Sequence, residues 1–166
     1  DVVMLLYLLE HKFSKEVKKS NYDYYEKRTL HDSSLSLSTH SILASDIDEK
    51  DLAYKLFQEA TKIDLGENMK TSDHGIHAAS LGGLWQIVVN GFGGVRMVGG
   101  NLRINPKLPE NWSRLSFSFM WKGNKLDIEL TKEGIKIEVK DEMLEEIEIL
   151  VYDKKYVLNQ ILKIKF

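Results

Sequence analysis

The sequence predicts an α+β chain: a helical first half, residues 1–93, followed by an antiparallel β half, residues 94–166. In the first half apolar residues recur every three or four positions, as at Leu81, Leu84, Trp85 and Val88. After Gly94 the period changes to two, and Leu115-Ser116-Phe117-Ser118-Phe119 and Leu126-Asp127-Ile128-Glu129-Leu130 alternate as half-buried strands do. Asn90-Gly91, between the two patterns, is the left-handed stop that many helices use.

The elements follow in order. Val2, Val3, Met4, Leu5, Leu6, Leu8 and Leu9 predict a helix from Asp1 to about Lys19, buried on most sides at its start and solvated over its charged tail. Ser20-Asn21 is an N-cap for a short helix through Tyr22, Tyr24 and Tyr25 to Glu26. These tyrosines read as packing residues with polar tips. Ser33 or Ser34 can cap a helix from Leu35 to about Ile47, and Asp48 begins another that runs through Leu52, Leu56, Phe57 and Ala60 to Ile63 and closes at Leu65-Gly66. With the helix after His77, this makes four or five antiparallel helices joined by short polar loops. Strands are predicted around Leu102–Ile104, Leu115–Trp121, Leu126–Leu130, Ile135–Val139 and Ile147–Val151. Lys122-Gly123-Asn124 and Lys132-Glu133-Gly134 are hairpin turns with glycine where a positive φ is wanted. Both prolines, Pro106 and Pro109, fall in the irregular approach to the strands.

Composition narrows the function classes. Lys and Arg number 23 against 25 Asp and Glu, a formal net charge of −2, so neither nucleic acid nor an anionic membrane surface is expected as a partner. No apolar run approaches the roughly 18 residues of a membrane span. The absence of cysteine excludes disulfides and thiolate chemistry and is compatible with a cytoplasmic location. No secretory signal is evident. The chain opens on Asp1 within an apolar helical run, which predicts a segment of a longer gene product.

Chemistry concentrates at two polar segments, each leading into a helix: Asp32-Ser33-Ser34-Leu35 and Ser72-Asp73-His74-Gly75-Ile76-His77. A helix N-terminus offers unpaired N–H groups and partial positive charge, so hydroxyls and an imidazole placed there suit an oxyanion. Simpler readings stand beside this one. Ser33 and Ser34 can be helix caps, worth about 1 kcal/mol each, and His77 can be a hydrogen-bonded buried residue. His74, one turn earlier, can touch the same pocket or support His77. The two histidines also suit a metal, but no third ligand at matching spacing follows, so none is expected. His31 and His40 carry a weaker signal, and His11 reads as solvated. Trp85 reads as core. Asp32 and Asp73 can orient neighbouring donors, and neither is marked as a general acid. Downstream of His77, residues Ala78, Ala79, Gly82 and Gly83 leave one helix face nearly bare. Glycine inside a helix costs about 1 kcal/mol relative to alanine, so this face predicts the close approach of another helix or a ligand.

The run His74-Gly75-Ile76-His77-Ala78-Ala79-Ser80-Leu81-Gly82-Gly83-Leu84-Trp85-Gln86, followed by Gly91-Phe92-Gly93-Gly94, resembles the C-terminal signature of glycoside hydrolase family 65. That family includes the phosphorylases of maltose, kojibiose, nigerose and trehalose. His31-Asp32-Ser33-Ser34-Leu35-Ser36, Ser38-Thr39-His40-Ser41-Ile42-Leu43-Ala44 and Asn105-Pro106-Lys107-Leu108-Pro109-Glu110-Asn111-Trp112 agree, in the family's order.

The resemblance implies the last helices of an (α/α)6 barrel followed by a small antiparallel β-sandwich-like C-terminal domain. It implies an inverting phosphorylase that takes a disaccharide and inorganic phosphate, needs no cofactor or metal beyond that co-substrate, and is homodimeric at full length. Ser33, Ser34 and His77, with His74 as a further candidate, would line the phosphate site. The family's general-acid glutamate falls in an earlier part of the barrel, and a phosphate-binding lysine falls just upstream of Asp1, so no catalytic residue is assigned here and the segment alone is expected to be inert. Two other readings remain: a family hydrolase that uses water, and a non-catalytic scaffold module whose acidic β half (Glu142, Glu145, Glu146 and Glu148) is a solvated cap.

Overall fold

The computed structural model describes residues 2–66, 75–141 and 146–166 and separates into a helical unit, Asp1–Phe92, and a β unit, Gly93–Phe166. The helical unit comprises α1 (Val2–Leu8), a 3-10 turn (Glu10–Lys12), α2 (Lys15–Glu26), α3 (Ser36–Asp46), α4 (Lys50–Leu65) and α5 (Ala78–Gln86), which passes into a π-helical turn (Ile87–Phe92).

The single opening helix expected to Lys19 is broken. The Ser14 hydroxyl accepts the Val17 N–H at 3.3 Å and starts α2 afresh. Ser20 and Asn21 therefore lie inside α2, where the Asn21 amide donates to the Val17 carbonyl at 2.9 Å, and they are not an N-cap. On α1 only Val3, Leu6 and Tyr7 are buried, while Met4, Leu5, Leu8 and Leu9 face outward.

Helix α3 is the centre of this unit, buried continuously from Leu37 to Ser45. Its sequence alternates small polar residues with Leu37, Ile42, Leu43 and Ala44, so it has no solvated face. Such a helix is stable only when its polar groups find partners. Ser38 donates to the Leu35 carbonyl at 2.9 Å, Ser41 to Ala53 at 2.8 Å and Ser45 to Gly91 at 3.1 Å. The last two bonds tie α3 to α4 and to the π-helical turn. Helix α4 buries Ala53, Leu56, Ala60 and Ile63, one stripe at helical spacing. It starts two residues later than expected because Asp48 takes a left-handed φ of 66°.

Helix α5 reverses the expected amphipathicity. Its buried positions are Ser80 and Gly83, followed by Ile87 in the π-helical turn, whereas Leu81 and Trp85 are 43% and 53% exposed. Of the bare face only Gly83 packs inward, where a Cβ would sit 2.7 Å from the Ser38 hydroxyl of α3, while Ala78, Ala79 and Gly82 are exposed. Trp85 is thus not core within this chain. Asn90-Gly91 is not the stop either, since both lie within the π-helical turn, and Gly94 supplies the left-handed residue at φ 65°.

The β unit contains β1 (Val95–Val98), β2 (Asn101–Ile104), β3 (Arg114–Trp121), β4 (Asn124–Thr131), β5 (Gly134–Val139), β6 (Ile147–Val151), β7 (Lys154–Leu158) and β8 (Ile161–Lys165). One sheet has the order β1-β2-β6-β7 and the other β3-β4-β5-β8. Each buries alternate residues: Leu102, Ile104, Ile149 and Val151 in the first, Leu126, Ile128, Leu130, Ile135 and Ile137 in the second.

The sheets are not wholly antiparallel. After β5 the chain returns to the first sheet and β6 runs parallel to β2, with Leu102 opposite Ile149. Strands β1, β7 and β8 were not expected; β1 is short, and β7 and β8 lie at sheet edges with mostly exposed side chains, so little alternation marks them. Lys122 and Gly123 do take positive φ, as a two-residue hairpin turn requires. Gly134 does not: it is glycine because a Cβ there would lie 2.1 Å from the Ile164 carbonyl of β8.

Candidate functional site

The contacts of α5 with α3 fix their relative direction. Gly83 meets Ser38, Gly91 lies against Ile42, and the Ser45 hydroxyl reaches the Gly91 carbonyl. Residue numbers rise together along both elements, so α3 and α5 run parallel and their N-termini open at the same end of the unit. The Asp32–Leu35 segment before α3 and His77 before α5 therefore lie toward the same end of the unit. Parallel neighbours add their dipoles at that end, where partial positive charge and unpaired N–H groups favour an anion.

At the first mouth, Ser33 and Ser34 are not the N-cap; Leu35 is, without a side-chain cap bond. The Ser33 hydroxyl instead accepts the Leu35 N–H at 3.3 Å, and its carbonyl takes the Ser36 N–H at 3.2 Å and the Ser36 hydroxyl at 3.1 Å. These bonds wind residues 33–36 into a turn ahead of α3. Ser33 is exposed and Ser34 partly so, and each hydroxyl keeps its proton for an outside acceptor.

At the second mouth His77 is the N-cap residue of α5, half-exposed. Its N–H donates to Asp64 Oδ1 at 3.1 Å and its ring Nδ1 to the same oxygen at 2.7 Å. The two bonds hold the Asp64 carboxyl below its usual value, so it is ionised and only accepts. The proton in the ring contact therefore sits on Nδ1, and Nε2 is the nitrogen left for a ligand. His74 lies outside the described residues.

Two functional-looking residues escaped the sequence reading. Asp64, in the last turn of α4, carries no local motif linking it to His77. Glu26, the final residue of α2, gathers two histidines: His31 Nε2 lies 3.2 Å from Oε1, and His40 Nδ1 is in direct contact with Oε2. The His31 and His40 rings meet edge to face at 4.8 Å, and the buried Tyr22 ring lies 5.8 Å from His40. Burial opposes ionisation of Glu26, but the bonds from His40 and His31 outweigh it and hold the carboxyl below its ordinary value. Burial, with Glu26 beside it, pushes the Tyr22 phenol well above its usual range.

The ligand atoms of Glu26, His31 and His40 lie within 4.8 Å of one another, a spacing a metal ion could also use. The carboxylate, however, already bonds each imidazole directly, so an ion would have to displace both contacts. On the β unit, a groove of about 360 Å³ over β3, β4 and β5 is lined by Arg114, Asp127, Glu129, Lys136, Glu138 and Lys140. These charges pair among themselves, as Arg114 with Glu129 and Lys140 with Asp127, and leave a solvated ladder without a preferred ligand sign. No described helix is long and apolar enough to cross a membrane.

Comparison with known proteins agrees with this architecture. The model of the glycosyl hydrolase family 65 central catalytic domain matches residues 1–86, and that of the family's C-terminal domain matches residues 95–158. The chain therefore belongs to glycosyl hydrolase family 65. It is 47% identical over 162 residues to a kojibiose phosphorylase of Halothermothrix orenii, covering 96% of this chain and 21% of that protein. It is 45% identical over 160 residues to an alpha,alpha-trehalose phosphorylase of Thermoanaerobacter brockii, covering 96% of this chain and 20% of the relative. A solved structure from the human microbiome, provisionally named as a kojibiose phosphorylase, superposes over 100% of this chain and 24% of its own with a TM-score of 0.92 at 37% identity. The chain thus spans about a fifth of the length of the curated relatives it matches.

Proposed function

We propose that this chain supplies the phosphate-gripping part of an inverting glycoside phosphorylase that cleaves an α-linked glucose disaccharide. The observation that carries the reading is the parallel pairing of α3 and α5, which brings the Ser33–Ser34 hydroxyls and His77 to one end of the helical unit. Helices α1 to α5 are then the last helices of an (α/α)6 barrel. Their outward apolar residues fit that role: Leu8 on α1 is 62% and Trp85 on α5 is 53% exposed.

In the reaction, a phosphate oxygen attacks the anomeric carbon on the face opposite the glycosidic oxygen. The C1–O bond to the second sugar breaks, and a general acid protonates the departing oxygen. Phosphate is already anionic and needs no base, so this chain's task is to hold it: Ser33 and Ser34 donate hydroxyls, helix N-termini supply N–H groups, and His77 presents Nε2 while Asp64 holds its other nitrogen. The products are β-glucose 1-phosphate and the released sugar, glucose where a disaccharide of glucose is the substrate. Family resemblance puts the acid, a glutamate, in an earlier barrel segment, so the 166 residues alone should not turn over.

The test is phosphate dependence in the intact protein. Disaccharide consumption should require inorganic phosphate and yield β-glucose 1-phosphate, and His77→Ala or the Ser33→Ala/Ser34→Ala pair should raise the phosphate KM by about tenfold or more, the loss expected for a hydrogen bond to a charged group. Phosphate-independent release of two free sugars would make the protein a hydrolase and sink the reading.

A further inference from the structure

The Ser33–Ser34 turn is held from behind. The Ser36 hydroxyl bridges the Ser33 carbonyl, 3.1 Å away, and His31 Nδ1, 3.0 Å away. The opposite ring nitrogen of His31 meets the Glu26 carboxylate at 3.2 Å. An ionised carboxylate only accepts, so His31 Nε2 donates to Glu26 and the ring is held between that carboxylate and the Ser36 hydroxyl. His31 itself sits at a left-handed φ of 55°, an uncommon conformation for a residue other than glycine that persists only where its surroundings enforce it. The second carboxylate oxygen is occupied by His40, 1% exposed in the middle of α3. The Glu26 carboxylate is thereby fixed to the central helix, and the turn is fixed to the carboxylate.

We propose that Glu26 is a positioning residue for the anion site: through His31 and Ser36 it fixes the Ser33–Ser34 turn at the mouth of α3. This rests on the phosphate reading of that turn, and it adds a residue in another helix, seven positions upstream of Ser33, that never touches the ligand. The hydrogen-bond chain runs Glu26 carboxylate, His31, Ser36 hydroxyl, Ser33 carbonyl, and it pins the backbone whose neighbouring hydroxyls face outward. The groups that face Glu26 are His31, His40 and the Tyr22 phenol, and Asp23 and Glu49 act on the phenol. A carboxylate shared by two imidazoles accounts for the contacts among Glu26, His31 and His40 by hydrogen bonds alone.

The experiment measures both KM values and kcat in the intact protein with Glu26→Gln, Ser36→Ala and the double variant, after thermal unfolding has established that each is folded. Wild-type turnover is measured against phosphate first, and its independence of phosphate would remove the underlying reading before any variant is compared. With phosphate dependence in hand, each single variant should raise the phosphate KM by about tenfold while kcat at saturating phosphate and the disaccharide KM change less than about twofold. The double variant should be no worse than the worse single, because both substitutions cut one chain. An unchanged phosphate KM in folded Glu26→Gln would overturn the proposal, as would equal losses in all parameters or additive effects in the double variant. So would stoichiometric zinc in the purified wild type that Glu26→Gln loses, since the cluster would then be a metal site.

Discussion

Gly83→Ala is the sharpest probe of how this helical unit is assembled. A Cβ at residue 83 would lie 2.7 Å from the Ser38 hydroxyl and 2.8 Å from the Ser38 Cβ, closer than packed carbon and oxygen atoms allow. The substitution gains about 1 kcal/mol of helix propensity, but forcing an extra methyl into a packed contact costs about 1–3 kcal/mol. Ser38 has little room to yield, because it is buried and donates to the Leu35 carbonyl at 2.9 Å. The neighbouring Gly82 is the control: a Cβ there meets nothing within 4 Å, so Gly82→Ala keeps the whole propensity gain. The two alanine variants of the 166-residue chain should therefore differ by about 1–3 kcal/mol, with Gly82→Ala the more stable. For a unit of 60–100 residues each kcal/mol moves Tm by about 4–8 °C, so far-ultraviolet thermal melts resolve the difference. Adding Ser38→Gly to Gly83→Ala should recover part of the loss. Equal melting of the Gly82 and Gly83 variants would refute the close approach of α5 to α3, and with it the parallel register on which the functional site stands.

Two further predictions concern other joints. Gly134→Ala should destabilise the β unit by well over 1 kcal/mol, because its Cβ would meet the Ile164 backbone carbonyl at 2.1 Å and no side chain can move aside; loss of amide protection in β8 and raised urea sensitivity are the readouts. The Asp64–His77 contact has a signed pH dependence. Asp64 is held below its ordinary value by the imidazole and N–H of His77, so its stabilisation is complete above the unfolded carboxyl value, near 4, and fades as pH falls through the lower folded value. The stability difference between wild type and Asp64→Ala, followed by urea titration, should stay constant from neutral pH down to about 5 and shrink below about 4; a difference that grew on acidification would contradict the assignment.

Legibility differed between the two halves for a physical reason. Strand alternation is a local signal, and the residues buried in β4 and β5 are those the period of two selects, because each strand buries one face of its own sheet. The edge strands β7 and β8 bury little and leave little pattern. Among the helices, Gly83 did announce a close neighbour, but the rest of the bare face of α5 is exposed, and which residues turned inward could not follow from hydrophobicity. Leu81 and Trp85 look like core and face outward, and Ser80 and Gly83 look like a weak helix and are buried, Gly83 against α3. The polar pattern of α3 was likewise silent about its burial, since Ser41 and Ser45 are tolerated inside only through the carbonyls of Ala53 and Gly91, residues far along the chain.

The candidate site divides the same way. The chain's own residues determined that two helix mouths carry hydroxyls and an imidazole, because capping chemistry is written in a few adjacent positions. Tertiary structure alone decided that both mouths lie toward one end of the unit, that Asp64 accepts the Nδ1–H of His77, and that Glu26 collects His31 and His40. Those relations join residues through space across helices whose mutual direction is set by packing, at the point where Gly83 lets two backbones come together.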